Sequence, residues 1–294
     1  MTLLPALAAI LFWGISFVAT KAVVGEISPL ALVTARAALG SALLFGLLVR
    51  GGTALPPRDA WPLLATMGFV GVAFHQGIQA YALTLTDAVT TGWLIGLTPV
   101  WSALLARWRL GERLTALKLG GLGLGFGGAA LVVSRGETAA ALLALPRTRG
   151  DLLILLSTLN WAVYTVMGRP ILRRLGALPV TAATMAAGGA VLLAPFGATG
   201  AWRDYSRLSG QGWAALVFLG VFCSGLGYLF WYWSLARAEA THVAALLYVE
   251  PLVTMAAAKA WLGEPVGAAT VAGGLLLLAG VACVQWAPRT AAAS

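Results

Sequence analysis

The sequence predicts an all-α polytopic membrane protein, with ten transmembrane helices arranged as two five-helix repeats of inverted topology. Three observations lead there. The 294 residues are 60% apolar and include only 19 basic and 10 acidic side chains, with a mean hydropathy of +0.89. The chain divides into ten apolar runs, each near the ~20 residues that a bilayer core of about 30 Å demands. Motifs of the first half of the chain also recur at nearly constant spacing in the second.

Composition alone removes several classes. An ordinary soluble domain is roughly 25% charged, and this chain is 10% charged, too few to cover a water-facing surface. A soluble globular enzyme, a disordered chain and a nucleic-acid binder are excluded. The pI near 10.3 does not restore the last, because the basic residues sit in short breaks between apolar runs, where topology signals belong. Cys223 and Cys283 both lie inside apolar runs. They offer neither metal-ligand spacing nor a disulfide framework, so no metal or other cofactor is expected.

The spans follow in order. Span 1 (2–23) lacks the basic leader of a signal peptide and outruns its short apolar core, so it is expected to stay as a helix. Span 2 (29–49) contains Arg36, and span 3 (60–83) contains His75, Gln76 and Gln79. Span 4 (87–108) has Pro99 near its middle, and span 5 (116–134) is rich in glycine at small-xxx-small spacings, which let helices approach closely. The longest break, 135–150, holds Arg135, Glu137, Arg147 and Arg149 and separates a first unit, 1–134, from a second, 151–294. Span 6 (151–173) contains Asn160, Trp161 and Tyr164. Span 7 (178–198) carries none of the polar candidates, and span 8 (211–236) contains Tyr228, Trp231 and Tyr232. Span 9 (240–262) has Tyr248 and Glu250 just before Pro251, and span 10 (267–287) completes the set. With the N-terminus inside, eleven basic residues fall on the inner side and seven on the outer, Arg36 being left out as intramembrane. That bias predicts both termini cytoplasmic.

The repeat is specific. Tyr81-Ala82-Leu83, Pro99 and Leu110-Gly111-Glu112 match Trp233-Ser234-Leu235, Pro251 and Leu262-Gly263-Glu264, all at an offset of 152. Gly68, Gly121 and Gly128 match Gly220, Gly273 and Gly280 at the same offset, and Trp13 matches Trp161 at 148. A unit of five helices is odd, so its second copy enters the membrane from the opposite side. That makes an inverted repeat about a pseudo-two-fold axis in the membrane plane.

Ten spans in two five-helix units, proline in the middle of spans 4 and 9, and L-G-E at the end of each resemble the drug/metabolite transporter superfamily, in its EamA-type ten-helix branch. Within that branch the chain looks most like the YddG-type amino-acid exporters. The resemblance covers nearly the whole chain and implies a basket of helices around a central cavity. It further implies that spans 1, 3, 4, 6, 8 and 9 line the cavity, that spans 5 and 10 are peripheral, and that the protein works by alternating access.

The residues themselves point the same way. A proline removes a backbone donor and clashes with the carbonyl four residues back, freeing the carbonyls of Ile95 and Leu247. Broken helices at corresponding places in two halves are a sequence pointer to a transport site, so Pro99 and Pro251 are the expected hinges. Polar side chains at membrane depth are costly and face the bundle interior. His75, Gln76, Gln79, Trp101, Asn160, Trp161, Tyr164, Tyr228, Trp231 and Tyr248 are therefore the candidate substrate-cavity residues. Glu250 stands near a span centre and Arg36 falls within span 2; these two are candidates for proton coupling or for holding a substrate's charge. Glu112 and Glu264 are expected to anchor loops, and Asp87 and Glu239 to suit helix starts.

The expected activity is export of neutral amino acids, aromatic and large aliphatic ones favoured, across the inner (plasma) membrane. The partners are then the lipid bilayer and the small-molecule substrate, with neither nucleic acid nor an obligatory protein partner. A proton-coupled exporter of other metabolites or drugs is the alternative. An intramembrane enzyme built on Ser224 and His242 is the rival class; the absence of a P-loop argues against ATP as the driving force.

Overall fold

The computed structural model describes residues 3–86, 91, 94–134, 149–262 and 268–288. Asp87, Trp93, Glu264 and most of the 135–150 break lie outside them. Among the described residues the secondary structure is helical throughout. The chain runs through α1 (Leu4–Val24), α2 (Pro29–Arg50), α3 (Trp61–Gly68), α4 (His75–Leu85), α5 (Thr98–Leu110) and α6 (Ala116–Ser134). It continues through α7 (Arg149–Leu175), α8 (Ala177–Thr199), α9 (Gly210–Val217), α10 (Tyr228–Leu235), α11 (Ala240–Ala245), α12 (Glu250–Leu262) and α13 (Ala268–Trp286). Six segments are long and apolar enough to cross a membrane: Leu4–Val24, Pro29–Arg50, Arg149–Leu175, Ala177–Thr199, Gly210–Leu235 and Ala240–Ala257. The protein is an all-α polytopic membrane protein.

Two stretches are wider than plain α-helix. Phe69–Phe74 between α3 and α4, and Phe218–Gly227 between α9 and α10, are wound as π-helix. Such wide turns leave backbone groups seeking partners, and side chains supply them. Tyr228 donates its hydroxyl to the Gly71 carbonyl at 2.8 Å, and Asn160 donates its amide to Val70 O at 2.7 Å. Trp13 donates its indole N–H to Cys223 O at 3.0 Å. Gly71 and Cys223 are 152 residues apart, so the two π stretches are braced at corresponding carbonyls, each by an aromatic side chain from the other half.

Close helix contacts show the same correspondence. A methyl group on Gly121 would stand 2.8 Å from the Gly280 carbonyl oxygen, and one on Gly128 2.7 Å from that of Gly273. These two contacts, which join α6 to α13, exchange when 152 is added to 121 and 128. Gly68 packs against Gly188 in α8, and Gly40 in α2 packs against Gly220 in the same way.

The two ends of the bundle are tied by different chemistry. At one end, Glu26 accepts from the Ser209 amide at 2.6 Å, Asp204 from the Ser28 amide at 3.1 Å, and Lys21 Nζ donates to Thr86 O at 3.0 Å. The hydrogen bonds of Ser28 hold the carboxyl of Asp204 below the ordinary aspartate range. At the other end, Glu112, Arg169, Lys118 and Glu239 form a buried cluster. Arg169 pairs with Glu112, and Lys118 Nζ lies 2.6 Å from Glu239 Oε2. The Glu112 carboxylate also takes the amides of Ala240 (2.7 Å) and Thr241 (3.1 Å) and the Thr241 hydroxyl (2.7 Å). Glu112 thus caps the start of α11 from 128 residues away. Loop anchoring was the expectation for L-G-E; the structure adds what it anchors. Glu239 makes no cap hydrogen bond to its own helix, and its carboxylate meets Lys118 and His242.

Candidate substrate cavity

The prolines come first. The α-helix that contains Pro99 begins only at Thr98, after a turn at residues 96–97, so Pro99 sits in a first turn, where its missing N–H costs little. Pro251 is the second residue of α12 and follows a 3-10 stretch, Leu246–Val249. Both helices are broken rather than merely kinked. Ile95 and Leu247, whose carbonyls the prolines free, both line the central cavity.

That cavity, with the open space at its mouth, amounts to about 510 Å³. Its walls are Trp13, Ser16 and Phe17 from α1, Arg36 from α2, His75, Gln76 and Gln79 from α4, and Thr158 and Trp161 from α7. Tyr228 from α10, Ile95, Thr98, Leu247 and Glu250 complete it. Several of these are repeat partners. Ile95 and Leu247, Thr98 and Glu250, and Gln76 and Tyr228 each differ by 152, and Trp13 and Trp161 by 148. Two of the pairs touch: Gln76 Nε2 donates to Tyr228 Oη at 3.2 Å, and the rings of Trp13 and Trp161 meet edge to face at 5.1 Å.

The aromatic side is a continuous cluster. Trp161 meets His75 at 4.8 Å, Tyr228 at 5.3 Å and Tyr164 at 5.3 Å between ring centroids. Such pairs contribute about 0.5–1.5 kcal/mol each beyond area burial, so this wall is rigid. The polar side is a chain. Arg36 Nε donates to Ser224 Oγ at 3.2 Å, and Ser224 donates to Gln76 Oε1 at 3.3 Å. Among the described residues, the buried His75 Nδ1 has no hydrogen-bond partner.

Of the candidates named from the sequence, His75, Gln76, Gln79, Trp161, Tyr228, Arg36 and Glu250 meet at this cavity. Asn160 and Tyr228 brace a π turn. Tyr164 and Trp231 pack behind the wall, Trp231 donating to Thr165 Oγ1 at 3.3 Å. Tyr248 faces away, donating to Leu122 O at 2.9 Å with its ring against Gly125 of α6. Trp101 is not among the lining residues, and its buried indole N–H has no partner among the described residues. Trp13, Ser16, Phe17, Thr98 and Thr158 line the cavity and were missed. For Trp13 the signal existed: it is the repeat partner of Trp161. Ser224 and His242 do not come together, since Ser224 is committed to Arg36 and Gln76 and His242 lies beside Glu239. Among the described residues no cluster of three or more His, Cys, Asp or Glu could hold a metal.

Comparison with known proteins places this geometry. The model of the EamA-like transporter family matches residues 1–134 and 148–286. The chain belongs to the EamA-like transporter family. An "Uncharacterized transporter" of Archaeoglobus fulgidus is 33% identical over 92% of both chains. A protein of Streptantibioticus cattleyicolor with the printed name "Probable terminal-alkyne amino-acid exporter" is 29% identical over 80% of this chain and 76% of its own. A solved crystal structure shares the fold at a TM-score of 0.77 and 20% identity, over 97% of this EamA-like chain and 96% of the other.

Proposed function

We propose that this EamA-like transporter exports neutral amino acids, aromatic and large aliphatic ones favoured, by alternating access in the inner membrane. The observation that carries the reading is the central cavity. It joins a rigid aromatic wall to amide, hydroxyl and imidazole groups beside two broken helices, a combination suited to a small solute with an apolar side chain and polar ends. The amino-acid substrate named for the Streptantibioticus relative supports the same class.

The architecture we propose is the ten-span inverted repeat with both termini cytoplasmic. Its support is the set of contacts that exchange at the repeat offset, Gly121 with Gly280 against Gly273 with Gly128. In this reading Pro99 and Pro251 are the two pivots, one for each membrane face. The Glu112 cluster holds the cytoplasmic end closed, where the excess of basic residues lies.

The test is flux through proteoliposomes. His75→Ala and Trp161→Ala should each reduce amino-acid flux at least tenfold with unchanged expression and membrane insertion. Wild-type flux in both variants would remove the cavity from the transport path.

A further inference from the structure

The cavity has a pseudo-two-fold lining but not a pseudo-two-fold charge. Ile95 corresponds to Leu247 and Gln76 to Tyr228, neutral against neutral. Glu250, however, corresponds to Thr98, and the offset of 148 seen near the start of each repeat places Arg36 opposite Thr184. One cationic side chain and one carboxyl group therefore break the symmetry. Both are buried, Arg36 being 8% exposed and Glu250 5% exposed, and both line the same space.

Among the described residues neither has a counter-charge. Arg36 spends Nε on the neutral Ser224 hydroxyl, and among the described residues no carboxylate pairs with it. The Glu250 carboxylate has no hydrogen-bond or ion-pair partner among the described residues, while its backbone carbonyl accepts from Thr254 at 3.1 Å. An unpaired buried cation costs several kcal/mol unless a counter-charge is supplied. Arg36 therefore calls for an anion, and Glu250, on the wall of the same cavity, is a carboxyl that ionises against an arriving cation.

We infer that Arg36 and Glu250 are the two poles that read a zwitterion, Arg36 receiving the α-carboxylate of an amino acid and Glu250 its α-ammonium. This rests on the proposed amino-acid substrate and goes further by assigning each end. A guanidinium presents paired N–H donors to a carboxylate, and holding Nε on Ser224 leaves the terminal nitrogens for that contact. The assignment carries a selectivity rule. An amine without a carboxylate leaves Arg36 unmet, an acid without an ammonium leaves Glu250 unmet, and each loses a charge-assisted contact. Such a contact is worth about 1.5–3 kcal/mol, roughly ten- to a hundredfold in affinity.

The experiment measures efflux of labelled L-phenylalanine from proteoliposomes, with phenylalanine, phenethylamine and 3-phenylpropionate as competitors. The wild-type protein should prefer phenylalanine to both analogues by tenfold or more. Arg36→Gln should abolish the preference over phenethylamine and keep the preference over 3-phenylpropionate. Glu250→Gln should do the reverse, and Arg36→Lys should keep most of the wild-type pattern. Should Arg36→Gln fail to fold, the wild-type competition and Glu250→Gln still decide. Analogues competing as well as phenylalanine on the wild type, or both neutral variants weakening all three solutes alike, would overturn the assignment while leaving an amino-acid exporter. Wild-type protein that moves other solutes and no amino acid would instead remove the proposed function, and this inference with it.

Discussion

Glu112 accepts four hydrogen bonds from described residues. Its carboxylate takes Arg169, two backbone amides at the start of α11 and the Thr241 hydroxyl, all within a buried cluster. Glu112→Ala removes four acceptor contacts at once. Deleting one partner of a buried ion pair costs about 3–5 kcal/mol, because the other charge stays buried and uncompensated. Losing a helix cap costs about 0.5–2 kcal/mol. The two losses share one site and do not add fully, so the expected destabilisation is about 4 kcal/mol. Arg169→Met should cost less, since Glu112 keeps the α11 amides. The double variant should cost at least ~2 kcal/mol less than the sum of the singles, because the ion pair is then removed whole. Equilibrium unfolding in mixed micelles, with all four proteins compared, reads these differences. A cost below about 1 kcal/mol for Glu112→Ala, or simple additivity, would show that the cluster is not the tie described here.

Further expectations concern packing, pivots and pH. Gly121→Ala puts a methyl 2.8 Å from the Gly280 carbonyl oxygen, so α6 and α13 must separate; a loss of roughly 1–3 kcal/mol is expected, whereas Gly123→Ala, which meets open space, should be tolerated in the same unfolding assay. Pro99→Ala and Pro251→Ala should alter transport rate more than stability, because each proline sits in a first turn that alanine can occupy; wild-type rates in both would place the pivots elsewhere. The Asp204 carboxyl is held below the ordinary aspartate range by its hydrogen bonds to Ser28, so ionisation favours the folded state. Its stabilisation should be full above about pH 3.9, the unperturbed value, and disappear as pH falls through the lower folded value. The stability gap between wild type and Asp204→Asn should therefore close only below about pH 4; a gap that closes near neutrality would assign it to another group.

The legible parts were those set by periodicity and spacing. Apolar runs located the helical segments to within a few residues, because helix length in a membrane is fixed by bilayer thickness. Pro99 and Pro251 announced helix breaks, and the carbonyls they free, those of Ile95 and Leu247, belong to residues on the cavity wall. The π stretches were not legible. Phe69–Phe74 and Phe218–Gly227 read as ordinary apolar helix, and what sustains them comes from distant side chains such as Trp13, Asn160 and Tyr228. Rotation about a span's axis was not legible. Trp101, Tyr164, Trp231 and Tyr248 are not among the residues that line the cavity. The partnership of Glu112 with α11 spans 128 residues, and only assembly of the bundle reveals it.

The account's central claim is that the cavity between the broken helices carries amino acids. It is tested most directly by loading proteoliposomes of the wild-type chain with a labelled panel of neutral amino acids, nucleotide sugars and cationic dyes, with and without a pH gradient. Efflux of aromatic and large aliphatic amino acids above protein-free liposomes, lost in His75→Ala, is the expected result. Efflux of nucleotide sugars or dyes with none of the amino acids would contradict it.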